Sequence, residues 1–149
     1  ANTMHLFAER LEAEINLPVI HIAKATAQVI ADKGLHKVAL LGTKFTMEKD
    51  FFTNKLKEKN IEAIIPDDAD RDFIHWTIFE ELGRGIISPS SKERYINIIN
   101  KLVAKGSEGA ILGCTEIPLL IKEGDVNVPV FDTTKIHSDA AVRFMTENN

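Results

Sequence analysis

The chain has 149 residues, 44% of them hydrophobic and 27% charged, which is typical of one globular domain with a sizeable core. Its net charge of −4 comes from 22 acidic and 18 basic residues, and no stretch is dense in lysine or arginine, so we expect no nucleic-acid partner. No segment has the length and hydropathy of a membrane span, and the single cysteine excludes an internal disulfide, which fits the cytoplasmic location that we predict.

The first part of the chain predicts two helices with a short strand between them. Apolar residues at spacings of three and four predict a helix over residues 4–15. That helical face consists of Met4, Phe7, Ala8, Leu11 and Ile15. Residues 18–22 have the apolar character of a short buried strand, with His21 as a hydrogen-bonded core histidine. Small residues predict a second helix over residues 23–33, closed by Gly34 at the position that glycine favours after a helix.

Strands and helices continue to alternate in the middle of the chain. Residues 37–43 contain four consecutive apolar side chains, as in a parallel strand covered on both faces. Thr46 can cap a helix that runs to about Lys59, and residues 61–65 form the next strand. The acidic residues 67–72 begin another helix. We interpret their carboxylates as stabilising the positive N-terminal end of that helix rather than as metal ligands.

The last part of the chain contains the only cysteine. Ser90 and Ser91 are predicted to cap a helix that ends near Lys105. An apolar strand follows and ends at Gly113, immediately before Cys114. A last strand over residues 128–131 leads into a helix that ends near Glu147. This alternation predicts an α/β fold, a parallel sheet with helices on both faces.

Polar residues follow the predicted strands directly. They are Thr43, Thr46, Cys114, Thr115, Glu116, Asp132, Thr133 and Thr134. The carboxyl ends of parallel strands meet at one edge of the sheet, which is where such folds bind ligands. Hydroxyl groups around one thiol suit a small carboxylate ligand. Two simpler interpretations remain open, since these residue types also cap helices and a lone cysteine is often buried and inert.

The sequence contains none of the common metal or nucleophile motifs. The five histidines have no zinc-type spacing, and one cysteine cannot build a structural zinc site, so we expect no metal. Patterns of the GxSxG, HExxH and P-loop types are absent from the sequence.

Four segments resemble the aspartate/glutamate racemase family. Gly113-Cys114-Thr115-Glu116-Ile117 and Asp132-Thr133-Thr134-Lys135-Ile136-His137 are similar to two of its motifs. Ala1-Asn2-Thr3-Met4-His5 resembles its first catalytic motif, usually Cys-Asn-Thr or Thr-Asn-Thr. Leu40-Leu41-Gly42-Thr43-Lys44-Phe45-Thr46-Met47 resembles the segment that opens its second domain. The four segments occur in the family's order along the whole chain.

The resemblance implies a cofactor-independent racemase or epimerase with two α/β domains and an active site in the cleft between them. In this family a thiol from each domain faces one side of the substrate's α-carbon, and Cys114 corresponds to the second-domain thiol. The substrate-binding residues that the resemblance implies are Asn2, Thr3, Thr43, Thr46, Thr115 and Lys92. Glu116 and His137 are implied as supporting groups behind them. For Lys92, an exposed lysine in the first turn of a helix is the alternative.

Two departures from the family pattern matter. The chain starts where a racemase would have completed most of its first domain, so we expect an N-terminally truncated chain. We accordingly predict that residues 1–34 are a remnant of the first domain, that residues 35–131 form the second domain, and that residues 132–149 form a helix returning to the first. Ala1 occupies the place of the first thiol, and alanine cannot move a proton.

Three hypotheses follow from these residues. The first is a racemase of aspartate or glutamate, in which the helix start at Thr115 lowers the thiol pKa of Cys114 from about 8.5. If the chain is a true truncation, we expect it to be inactive alone. The second is a non-catalytic homologue that binds carboxylates. The third is a single-thiol decarboxylase or isomerase, as in arylmalonate decarboxylase. A homodimer is left open, since related racemases are often dimers.

Overall fold

Four parallel strands form the sheet of the chain in this computed structural model, which describes residues 1–147. They are β1 (Lys37–Gly42), β2 (Glu62–Ile64), β3 (Ala110–Gly113) and β4 (Val130–Asp132), in the order β2-β1-β3-β4. The two central strands, β1 and β3, are almost completely buried. They are also the two most apolar predicted strands, because a central parallel strand is covered on both faces.

The described part of the chain contains eight α-helices, which connect and cover the strands. They are α1 (Ala8–Ile15), α2 (Ile22–Asp32), α3 (Lys44–Glu48), α4 (Asp50–Lys57), α5 (Asp68–Glu80), α6 (Pro89–Ala104), α7 (Ile117–Leu120) and α8 (Thr133–Glu147). Short 3₁₀ helices at Asn2–Phe7 and Leu82–Arg84 precede α1 and follow α5. Within residues 1–147, no helix combines the length and apolarity needed to cross a bilayer.

Helices pack on both faces of the sheet, as predicted. On one face, Leu41 of β1 belongs to a buried cluster with Ile74 of α5 and Ile99 of α6. On the other face, Leu40 belongs to a second cluster with Ile30 of α2 and other residues of α2 and α4. The helix α2, which precedes residue 34, thus packs on the same sheet as the helices that follow it.

The predicted strand over residues 18–22 is wrong. No strand lies there, and Ile22 is already the first residue of α2. His21 is buried, as expected, but its Nδ1 accepts a hydrogen bond from the backbone N–H of Ala23 at 3.1 Å, so it caps the helix. The backbone N–H of Val19 is satisfied by Glu12 Oε1 at 3.1 Å rather than by a neighbouring strand.

Two predicted helix caps lie a few residues away from their true positions. Thr43, not Thr46, caps α3, because Thr43 is the first residue after β1 with an extended backbone and its hydroxyl accepts from the N–H of Thr46. The helix also breaks at Lys49, which is extended, so α3 and α4 replace one predicted helix. Ser88 caps α6 instead of Ser90 or Ser91, because Pro89 fits the first turn.

The apolar face predicted for residues 4–15 exists but is not covered by other described parts of the chain. Met4, Phe7, Leu11 and Ile15 are all exposed, and only Ala8 of that face is buried. Asn16 ends α1 in the left-handed conformation at φ 52°. The helix therefore has the correct periodicity, while its burial differs from the expectation.

Two glycines allow β1 and β3 to approach closely at their carboxyl ends. Gly42 and Gly113 are paired in register. A Cβ atom at Gly113 would lie 2.8 Å from the carbonyl oxygen of Leu41, and one at Gly42 would lie 2.8 Å from the carbonyl oxygen of Gly113. Because the obstructing atoms are backbone, a side-chain rotation cannot make room.

We therefore expect Gly113→Ala to lower the free energy of unfolding by about 1–3 kcal/mol, as overpacking does in tight cores. Urea unfolding followed by circular dichroism measures this change. Lys24→Ala, on the exposed face of α2, is the control and is expected to stay within about 0.5 kcal/mol of the native chain. An unchanged midpoint for Gly113→Ala would contradict the close approach of the two strands.

Candidate active site

A cavity of about 360 Å³ lies at the carboxyl edge of the sheet. It is lined by Ala1, Asn2, Thr3, Thr43, Ile78, Phe79, Gly83, Gly113, Cys114, Thr115 and Glu116. Its walls come from the N-terminal segment, from the turns after β1 and β3, and from the end of α5 with the following 3₁₀ turn. Several polar residues that follow different strands in the sequence thus meet in one place.

Thr46 lies behind this cavity rather than in its lining. Its side chain is completely buried, and its methyl carbon is 3.2 Å from the position that a Cβ atom of Gly113 would take. Its hydroxyl oxygen is 3.4 Å from that of Thr43, and the hydroxyl of Thr43 is 3.5 Å from that of Thr3. Thr46 therefore supports Thr43, whereas Thr43 and Thr3 present their side chains to the cavity.

Cys114 is hydrogen-bonded to a carboxylate. The residue Cys114 is only 7% exposed, and its Sγ donates to Oε2 of Glu116 at 2.7 Å. The hydroxyl of Thr115 donates to Oε1 of the same carboxylate at 2.5 Å. Both oxygens of Glu116 thus accept hydrogen bonds from its two neighbours, which holds the carboxylate beside the sulfur.

This arrangement keeps the proton on sulfur. Burial is the largest cause that raises the pKa of the Cys114 thiol to about 12, and the hydrogen bond and negative charge of Glu116 act in the same direction. Burial opposes ionisation of Glu116 as well, but the hydrogen bonds from Cys114 and Thr115 outweigh it and lower the pKa of that carboxyl. The resting pair is therefore a neutral thiol and an ionised carboxylate.

The expectation that a helix start would lower the pKa of Cys114 is wrong. The helix α7 begins only at Ile117 and has four residues, so its N-terminal effect is small. Backbone N–H groups of Glu116 and Ile117 do favour the thiolate, but burial and the adjacent carboxylate outweigh them.

Asn2 carries an unused hydrogen-bond acceptor. Its side-chain amide donates to the hydroxyl of Thr133 at 3.0 Å, and that hydroxyl donates to the carbonyl of Leu112 at 3.0 Å. Because the Thr133 proton is committed to Leu112, the orientation of the Asn2 amide is determined. Its Oδ1 is buried and has no hydrogen-bond partner within the described chain. A ligand in the cavity that donates a hydrogen bond would satisfy this acceptor.

Three histidines secure the N-terminal segment behind the cavity. The ring of His5 lies 5.1 Å from that of His21 and 5.0 Å from that of His137, measured between centroids. His137 bonds through Nε2 to the carbonyl of Ile20 at 2.6 Å, and His5 Nδ1 lies 3.1 Å from the carbonyl of Ala1. His137 therefore lies outside the cavity lining and acts on the segment that carries Asn2 and Thr3.

Stability should depend on pH through His21. Burial, followed by the charge of neighbouring His5, lowers the pKa of His21 from 6.5 to about 4, so the unfolded chain takes up this proton first. The stabilisation is present above about pH 6.5 and is lost as the pH falls toward 4. Urea unfolding at several pH values should show this decline.

His21→Asn removes the titrating imidazole and keeps a helix cap, because asparagine is also a good N-cap. We expect it to reduce the loss of stability between pH 6.5 and 4 while α2 stays folded. His36→Asn, at an exposed histidine, is the control and should leave the pH dependence unchanged. An identical pH dependence in His21→Asn and the native chain would contradict the role of His21.

Like Thr46 and His137, Lys92 is a predicted site residue that lies outside the cavity lining. Its Nζ is 2.8 Å from Oδ2 of Asp125, and it does not line the cavity. Conversely, the sequence analysis missed Ile78, Phe79 and Gly83 as lining residues. They carry no motif, since two apolar residues at the end of a helix have the pattern of ordinary core residues.

Metal binding finds no support in the arrangement of side chains. Among residues 1–147, no group of three or more histidine, cysteine, aspartate or glutamate side chains is placed to hold a metal ion. The chemistry available in the cavity is that of a thiol, a carboxylate, a side-chain amide, hydroxyls and backbone groups.

Comparisons with known proteins give consistent matches. A family profile described as Asp/Glu/Hydantoin racemase matches residues 1–141. The structure of a candidate Asp/Glu racemase from Yersinia pestis is 50% identical with a TM-score of 0.92, and that of an aspartate racemase homologue from Pyrococcus horikoshii OT3 is 43% identical with a TM-score of 0.88. Both alignments cover 97% of this chain and 63% of the solved chain.

Glutamate racemase from Oenococcus oeni is a more distant relative. It is 28% identical over 151 residues, which cover 94% of this chain and 52% of that protein. The chain thus spans 63% or less of the length of these three relatives.

Proposed function

The chain belongs to the Asp/Glu/Hydantoin racemase family, and we propose on that basis that it moves a proton at the α-carbon of an amino acid, without a cofactor, through the thiol of Cys114. The observation that carries this proposal is the 2.7 Å hydrogen bond from Cys114 to Glu116 beside a cavity of ligand size. A thiol and a carboxylate so paired can exchange one proton between them.

The proton moves in two coupled steps. Glu116 takes the S–H proton, and the thiolate then removes the α-proton, whose bonding electrons stay on the α-carbon and spread into the substrate carboxylate. Return of a proton from the thiol reverses the step. The negative charge that develops on the substrate carboxylate needs positioned donors, and we assign this role to the hydroxyls of Thr3 and Thr43, since the hydroxyl of Thr115 already donates to Glu116.

We assign the substrate ammonium group to Asn2. One N–H of its amide is used by Thr133, and Oδ1 is its buried polar atom without a partner in the described chain; such an acceptor suits an ammonium better than a carboxylate. Thr46 and His137 act indirectly in this proposal, by supporting Thr43 and the N-terminal segment. Lys92 is less suited to bind a substrate carboxylate, because Asp125 holds its Nζ.

Aspartate and glutamate are the first substrates to test, because related proteins are named for them. Ala1 lines the cavity where the family pattern has a thiol, so this chain supplies an acid-base group on one face of the α-carbon. The remaining proposals are the division into residues 1–34, 35–131 and 132–149, a cytoplasmic location and a homodimer. The last two residues of the third segment lie outside the described residues.

The test is deuterium exchange at the α-carbon in D₂O, followed by proton NMR with the L and D forms of aspartate and glutamate. Exchange of one enantiomer without inversion supports one-sided proton transfer by Cys114. Exchange with inversion of both enantiomers indicates racemisation with a second acid-base group. Binding without exchange favours the carboxylate-binding homologue, and neither binding nor exchange rejects the proposal.

A single-thiol decarboxylase is the second candidate, favoured by the alanine at residue 1. Such an enzyme would use Cys114 only as an acid, which matches its neutral resting thiol. Release of CO₂ from a 2-substituted malonate, with no α-proton exchange in the amino acids, would favour this alternative over the first.

A further inference from the structure

The lining of the cavity divides into two chemically different sets of residues. The polar set contains Asn2, the three threonines and the pair of Cys114 with Glu116. In the proposed proton transfer these residues contact the groups on the α-carbon or support the residues that do. The other set contains Ile78 and Phe79 of α5 with Gly83 after it. Phe79 is 54% exposed and has no polar atom, so part of its ring is open to the cavity and the surrounding solvent.

The charges around the cavity disfavour a second carboxylate on the ligand. Glu116 is itself a lining residue, and its hydrogen bonds keep it ionised by lowering its pKa. Within residues 1–147, neither lysine nor arginine lines the cavity. An acidic side chain there would face a like charge without a cation beside it, which is unfavourable in a partly buried site.

The cations adjacent in sequence to lining residues are each paired with a carboxylate. Lys44, which follows Thr43, pairs with Asp72. Arg84, which follows Gly83, has its guanidinium 2.5 Å from Glu80. Both pairs are exposed, so recruiting either cation to an acidic ligand costs little. An apolar side chain instead gains from contact with Phe79 and Ile78 and breaks no ion pair.

We infer that the cavity selects an amino acid with an uncharged, apolar side chain over aspartate and glutamate, and that Phe79 and Ile78 form the surface that this side chain contacts. The inference rests on the proposed proton transfer at Cys114 and names the substrate class of that site. It replaces the acidic side chain that the family resemblance implies with an apolar one.

Leucine, asparagine and aspartate test this inference, because the three side chains have nearly the same branched shape and differ in polarity and charge. Affinity is measured by NMR titration of the native chain with both enantiomers of each, and α-proton exchange is measured in parallel. We expect leucine to bind at least about tenfold more tightly than aspartate, the discrimination that a hydrophobic pocket can supply, with asparagine between them.

Phe79→Lys places a cation on the same surface and should shift the preference toward aspartate by about tenfold or more. Trp76→Lys is the matched control. It adds the same charge to the same helix at an exposed aromatic residue outside the cavity lining, so the leucine-to-aspartate ratio should stay as in the native chain. An unchanged ratio in Phe79→Lys would overturn the assignment of Phe79 to the side-chain surface.

The outcomes separate the two proposals. If the native chain binds or exchanges aspartate better than leucine, the inference is overturned while proton transfer by Cys114 stands. If it binds leucine more tightly but exchanges none of the three, the selectivity is supported and the proton transfer fails. If it binds none of them, both fail.

Discussion

Replacing Cys114 with alanine is expected to abolish exchange of the α-proton with solvent while amino-acid binding persists. The described chain contains no other sulfur acid-base group, since Cys114 is the only cysteine. A positioned acid-base group typically accounts for about 10²–10⁴-fold in rate, and its loss should reduce exchange by at least that factor. Deuterium incorporation in D₂O measures the rate, and NMR titration measures binding.

Cys114→Ser is the matched control for packing. Serine is similar in shape and can still donate to Glu116, so the polar contact beside the cavity is kept. A hydroxyl is far less acidic than a thiol, and exchange should still be lost. Exchange at the native rate in Cys114→Ala would show that another group moves the proton, and the proposed function would then be wrong.

Replacing Glu116 with glutamine is expected to change two quantities in opposite directions. The carboxylate raises the pKa of Cys114 through its hydrogen bond and its charge, so its removal should bring that pKa below about 12. The thiol should then react faster with iodoacetamide at pH 9, as followed by intact mass. Exchange of the α-proton should nevertheless fall by about 10²–10⁴-fold, because glutamine cannot accept the S–H proton.

Glu123→Gln serves as the control, since it removes an exposed carboxylate that lies outside the cavity lining. It should leave both alkylation and exchange unchanged. If Glu116→Gln slows alkylation instead of accelerating it, the carboxylate would be favouring the thiolate, contrary to the pairing described above. If exchange survives in Glu116→Gln, Glu116 is not the group that receives the thiol proton.

The strands illustrate which features of the fold are local. The run of four apolar residues in β1 and the shorter run Ala110–Leu112 in β3 predict strands of a parallel sheet that is covered on both faces. Residues 18–22 are also apolar, but they form no strand, because a strand needs a neighbour to pair with and His21 instead caps a helix. Composition alone does not distinguish these two cases.

The helices illustrate the same division. The period of residues 4–15 correctly predicted a helical face, yet Met4, Phe7, Leu11 and Ile15 are exposed. Periodicity reports which side chains share a face, whereas burial depends on what another part of a protein places against that face. The caps at Thr43 and Ser88 were missed by a few residues because each lies within three residues of another hydroxyl residue that could cap the same helix.

The sequence alone determined the alternation of strands and helices, the family, and the location of Cys114 directly after a central strand. These follow from residues that are neighbours along the chain, so local patterns suffice. The tertiary structure decided that the thiol stays protonated, that Oδ1 of Asn2 has no partner within residues 1–147, and that Ile78 and Phe79 line the cavity. Each of these depends on atoms far apart in sequence, because the fold decides which residues exclude water from a group, form its hydrogen bonds and line a cavity.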